Sequence, residues 1–148
     1  MNTTLEQLES VLAKGGRAAG LDFLNKRVDH RFTAIYRLDQ AIMKNVDLVD
    51  KEGVGLPDLQ EVPLGHSFCQ FVIRDGQFST SDSGADKRLD GHPYQGVMGS
   101  YVGLPLLGND GQLWGTFCHF DIASKPLQDG EFDFLQQVAR LLPRYLPR

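Results

Sequence analysis

Cysteine is scarce in this chain: Cys69 and Cys118 are the two among 148 residues, and no Cys-x-x-Cys pair occurs. So low a count excludes a disulfide scaffold, and leaves two thiols in apolar surroundings of the kind that usually pack into a core. Long apolar runs are lacking as well. None approaches the ~20 residues that cross a bilayer, and Met1 to Thr4 lead into a polar, acidic stretch rather than a signal peptide, so a cytoplasmic protein is expected. Basic charge is not in excess: 15 Lys and Arg stand against 19 Asp and Glu, a formal charge of -4. That balance leaves no footprint for nucleic acid or an anionic membrane. Glycine-rich phosphate loops, Gly-x-Ser-x-Gly elbows and His-Glu-x-x-His sequences are all absent. Cys118 and His119 are neighbours, but adjacent strand residues point to opposite faces and cannot serve as nucleophile and base. Asp82, Asp86, Asp90 and His92 supply metal-ligand types without the spacing of a calcium loop or zinc site, so a solvated acidic loop is expected and no metal.

What is present suits one domain over residues 1–148, 41% hydrophobic and large enough to bury a full core. Leu5, Leu8, Val11 and Leu12 follow helical spacing behind a candidate cap at Thr4, and Gly15, Gly16 and Gly20 interrupt the pattern before Leu21 and Leu24 resume it. Phe32–Leu38 and Ala41–Val49 alternate as strands around a polar turn at Asp39-Gln40. A loop from Asp50 to Pro63 carries Gly53, Gly55 and Pro57, and its length marks it as functional or mobile. Ser67 is placed to cap a helix over Phe68–Arg74 that ends at Asp75-Gly76. Residues 82–98 are turn-rich, with a short helix expected after Pro93. A last amphipathic helix spans Asp129–Tyr145.

The most informative stretch is Ser100 to Asp121, which reads as a hairpin folded at Asn109-Asp110-Gly111. With Asp110-Gly111 as the loop, Leu107 faces Trp114, Pro105 faces Thr116, Gly103 faces Cys118 and Tyr101 faces Phe120. Gly103 and Gly115 in strand interiors mark either relief of crowding or close approach of a ligand.

Ser67-Phe68-Cys69, the apolar run into Asp82, Ser100–Leu106, Gly115–Asp121 and the final helix together resemble the GAF domain, a sensory module of phosphodiesterases, phytochromes and sensor kinases. The resemblance implies an α/β (α+β) fold, GAF/PAS-like, with a central antiparallel sheet of five or six strands, terminal helices on one face and a loop-covered ligand pocket on the other. It implies a small-molecule sensor that acts in signal transduction through a separate partner, without catalysis of its own. The candidate ligand-binding residues are Tyr101, Gly103, Thr116, Cys118, Cys69, Asp82 and His92. No cofactor is identifiable: Gly91-His92 lacks the cysteine of a covalent bilin site, and the residue set of cyclic-nucleotide-binding members is not placed here. Two alternatives stand beside the sensor. One is an interaction module without a ligand. The other is a free methionine-R-sulfoxide reductase, which the absence of cysteine from Ser83 to Gly99 disfavours. Apolar residues of the last helix, Phe134, Leu141 and Tyr145, together with Leu5, Leu8 and Leu12, exceed what one sheet face needs and lead to the expectation of a homodimer through the terminal helices.

Overall fold

The first helix starts at Thr3, whose hydroxyl accepts the Glu6 N–H at 3.1 Å, one residue before the expected cap. In this computed structural model, which describes residues 3–55 and 59–147, α1 runs Thr4–Asn25 with a kink at Gly16, where φ is 76°. The glycine therefore bends one helix, and the buried stripe Leu8, Leu12, Leu21 and Leu24 continues across the bend. None of the described helices is long and apolar enough to cross a membrane.

Six strands follow: β1 Phe32–Asp39, β2 Ile42–Asp50, β3 Glu61–Pro63, β4 Phe78–Thr80, β5 Ser100–Leu107 and β6 Leu113–Asp121. They form one antiparallel sheet in the order β3-β2-β1-β6-β5-β4. Helix α2, Cys69–Asp75, lies between β3 and β4, and α3, Glu131–Leu141, follows β6. The short edge strand β3 was hidden inside the expected loop, because three residues show no alternation. Pro57, one of that loop's turn formers, lies outside the described residues.

The β5–β6 register matches the expected one from Tyr101–Phe120 to Pro105–Thr116, but a bulge after Leu106 brings Leu107 opposite Leu113. The loop is longer than two residues. Gly111 takes φ 78° and the Gly108 N–H bonds Gln112 O at 2.8 Å, the geometry of a three-residue turn closed by a left-handed glycine. Ser67 also departs from its expected role: its hydroxyl donates to Leu64 O at 2.9 Å and does not cap α2. Turns, not a helix, follow Pro93.

Both sheet faces are buried. Ile35, Val102, Leu104 and Phe117 on one face pack under α1 and α3, while Phe32, Ala34, Tyr36, Tyr101, Cys118 and Phe120 on the other meet α2 and the irregular segments. The apolar surplus expected to drive a dimer is absorbed within the chain: Leu8, Leu12, Phe134 and Leu141 are buried in the helix-side core, and Leu5, Phe132, Ala139 and Tyr145 pack against it.

One end of the helix-side core is polar. The Asn25 side-chain amide donates to Thr33 Oγ1 at 2.8 Å, and Thr33 Oγ1 lies 2.6 Å from His119 Nδ1. The direction of that bond is set by the His119 tautomer, and His119 Nε2 is buried without a partner among the described residues. Burial pushes the His119 pKa down to about 3, and burial also lowers that of His30.

Gly115 is a packing residue. A Cβ there would run into the carbonyl of Tyr36 and come within 2.9 Å of Arg37 Cα, both on the paired strand β1. Backbone cannot yield as a side chain does, so Gly115→Ala is expected to destabilise by about 2–3 kcal/mol, read as a lower urea midpoint. The imidazoles give a second expectation. Their pKa values are lower folded than unfolded, so their stabilising contribution is full above pH 6.5 and is lost as pH falls towards the folded values. Urea midpoints should already decline between pH 7 and 5, above the range where carboxylates protonate, and a flat profile there would contradict the buried neutral rings.

Candidate functional site

Residues of β1, β5 and β6 that face α2, with the first residue of α2 itself, bring four weakly acidic groups together: the Tyr36 and Tyr101 hydroxyls and the Cys118 thiol of the strands, and the Cys69 thiol of the helix. They line an internal slot of about 50 Å³ with Met43 and Met98, room for a few waters at most. Leu59 and Tyr94 close it from the irregular segments, Val62 from β3 and Phe68 from the residue that precedes α2. Cys69 Sγ lies 3.4 Å from the Tyr101 hydroxyl and 3.3 Å from Thr116 Oγ1. Cys118 Sγ has the Ala34 carbonyl at 3.8 Å. The Tyr36 hydroxyl donates to Leu59 O at 2.7 Å, which ties the cover to the sheet.

Burial raises the pKa of all four groups. Each keeps its proton at neutral pH, and no side chain of the slot carries a charge. Such a lining suits a compact, uncharged molecule with hydrogen-bonding groups.

The candidate residues of the sequence divide over this geometry. Tyr101, Cys69 and Cys118 line the slot. Thr116 stands beneath it as the partner of Cys69. Gly103 does not reach it, because the Tyr101 ring folds back over the glycine where a Cβ would sit within 2.7 Å of ring carbon Cε1. The shallow spot expected at Gly103 is therefore filled by the chain itself. Asp82 is exposed and belongs to a different groove, near Arg88 and Lys125. His92 is a clasp. Its Nδ1 accepts the Tyr94 N–H at 3.0 Å, its Nε2 stands 3.3 Å from Ser67 O, and its ring packs 4.8 Å from that of Phe68. It thereby pins residues 92–94 to the start of α2.

Sequence reasoning missed Tyr36, Met43, Leu59 and Met98. Tyr36 shares a strand face with Phe32 and Ala34, a signal visible in the alternation of β1, but its place opposite Thr116 depends on β1 pairing with β6. Leu59 and Met98 sit in irregular segments that carry no periodicity. Among the described residues, no group of three or more histidines, cysteines or carboxylates is arranged to hold a metal ion.

The GAF domain family model matches residues 18–144. This chain is a GAF domain. No protein of curated function matches it in sequence. Solved structures similar in fold include the free methionine-R-sulfoxide reductase of Neisseria meningitidis in complex with its substrate, at 17% identity and TM-score 0.74, covering 95% of this chain and 84% of that one. The GAF domain of the Acinetobacter phosphoenolpyruvate-protein phosphotransferase aligns at 12% identity and TM-score 0.73, over 98% and 94% of the two chains. A putative GAF sensor protein of Burkholderia vietnamiensis aligns at 18% and 0.73, over 95% and 89%.

The expectation of a domain without catalysis is corrected by these matches. Reductases from Neisseria meningitidis, Thermoplasma acidophilum and Staphylococcus aureus share this fold, so the architecture houses enzymes as well as sensors.

The thiols allow a direct check. Both are buried and protonated, so iodoacetamide at neutral pH should leave them unmodified in the folded protein and label both on unfolding, as read by intact mass. Their serine variants should also differ. Cys69→Ser places a hydroxyl beside two hydroxyl partners, whereas Cys118→Ser gives its hydroxyl poorer company and is expected to cost about 1–3 kcal/mol, the larger loss of the two.

Proposed function

We propose that this GAF domain binds a compact, uncharged small molecule in the slot and senses it through the segments that cover the slot. One observation carries the reading: four hydrogen-bonding side chains, Tyr36, Cys69, Tyr101 and Cys118, converge on unfilled volume inside an otherwise packed core. Natural cores fill such volume with side chains unless something else is to occupy it. The space of about 50 Å³ is far below the several hundred that enclose a metabolite. Entry of a ligand must therefore displace the cover, first by breaking the bond from Tyr36 to Leu59. Flexible Met43 and Met98 are suited to repacking around a guest. Movement of the cover would be the output, relayed to a separate signalling protein.

A second reading follows from the fold's enzyme members. Turnover of free methionine-R-sulfoxide with a dithiol reductant, lost in Cys69→Ser, would make the slot an active site.

Native mass spectrometry of freshly purified protein tests the binding reading. A mass above the 16.5 kDa chain that disappears on denaturation is expected for wild type. Cys118→Leu, which fills the slot with a net two extra heavy atoms, should fold and lose that mass. No retained mass in either protein, or a mass that persists in Cys118→Leu, would overturn the reading.

A further inference from the structure

A second cavity lies at the edge of the sheet formed by β4 and β5, where residues of both faces reach it. It is an open groove of about 540 Å³, lined by residues 79–82 and 85–88, by Lys125 and Leu127, and by buried His30, Tyr101 and Val102. It meets the slot at Tyr101, which lines both, but its other lining residues are distinct from those of the slot. Nothing in the function proposed above uses it.

The charges of the groove do not cancel. Asp86 is fully engaged: Arg88 holds both its oxygens, at 3.0 and 2.6 Å, and also donates to Ser79 O at 2.7 Å. Burial opposes the charge on Asp86, but the guanidinium outweighs it and holds the carboxyl down to about 2. This pair is neutral as a unit. Of the remaining lining groups, Lys87 and Lys125 are cationic and Asp82 is anionic, and none of the three takes part in an ion pair among the described residues. The surplus is positive.

His30 is the second observation. It is 1% exposed, it lines the groove, and its Nδ1 is buried without a hydrogen-bond partner among the described residues. Most buried side-chain polar atoms are hydrogen-bonded, because an unpartnered one costs about 1–3 kcal/mol, and among the described residues only His119 Nε2 shares this state. The fold gives this ring no bond of its own. Groups that face it include Asp121, Asp29, Lys51 and Lys125, and the His119 ring lies 6.1 Å away.

We propose that this groove binds a small organic oxyanion, a carboxylate or phosphate group, with Lys125 and Lys87 supplying the charge and the His30 imidazole the directional hydrogen bond. Val102 and Leu127 offer apolar contact to the remainder of such a molecule. A neutral imidazole keeps one N–H to give, and a lysine pair on two separate segments closes on the anion from both walls. The same walls make the site selective, since Asp82 at the rim repels polyanions.

Titration of the isotope-labelled chain at constant ionic strength tests this, with inorganic phosphate and succinate as probes. His30 ring resonances should shift along a saturating curve. Saturation by phosphate alone assigns a phosphorylated ligand, and saturation by succinate alone a carboxylate. Lys125→Gln, a half-exposed position outside both cores, should fold as wild type and weaken binding about tenfold, the loss of one charge-assisted hydrogen bond. Lys14→Gln, exposed on α1, should leave affinity unchanged. Shifts that rise linearly without saturation, that bypass His30, or that keep their midpoint in Lys125→Gln would overturn the proposal.

Discussion

Strand alternation in β1, β5 and β6 is the constraint on which the molecule depends. Because both faces of the sheet are buried, every second residue of these strands belongs to a different core, and each core imposes its own chemistry. Cys118 and His119 show the consequence. The thiol enters the slot beside Tyr101, while the imidazole enters the polar end of the helix-side core and bonds Thr33. A shift of register by one residue would exchange the two sets, put histidine among the aromatics of the slot and thiol among the amides, and leave both cores with unpaired groups.

The two faces are covered differently, and that difference separates stability from function. Helices α1 and α3 seal one side with leucines on regular stripes. The other side is closed by α2 and by irregular chain held at a few points. Asp50 is the strongest of these. It pairs with Arg31 through both oxygens at 2.7 and 3.0 Å and accepts the N–H groups of Glu52, Val54 and Gly55. The Arg31 guanidinium holds its carboxyl well below the usual range, the backbone N–H groups add to that, and burial opposes it. Tyr36 and His92 provide the other tethers. Few bonds and no regular lattice mean that such a cover can open at lower free energy than the helices can leave their face. A ligand held under it is therefore coupled to motion without unfolding the core.

Glycine illustrates how local and tertiary demands differ. Gly111 serves its turn through a positive φ, a requirement visible in the Asn-Asp-Gly triplet itself. Gly115 serves the close approach of β1, and Gly103 makes room for the ring of Tyr101 two residues earlier. The last two look alike in a sequence.

Local chemistry in the sequence determined the element types, most of the β5–β6 register and the membership of the GAF family, because alternation, helical spacing and turn residues act over a few positions. It also placed Cys69, Tyr101 and Cys118 on elements that meet. Three things were decided only when the strands assembled. Pairing of β1 with β6 carried Tyr36 to the slot across some eighty residues of chain. Packing of the terminal helices buried the apolar stripes that alone suggested a dimer. Closure of the irregular segments over Met43 and Met98 set the slot's small volume and left Asp82 in a separate groove at the sheet edge. Each of these rests on contacts between residues far apart in the chain, whose energies depend on fit in three dimensions and leave no periodic trace in one.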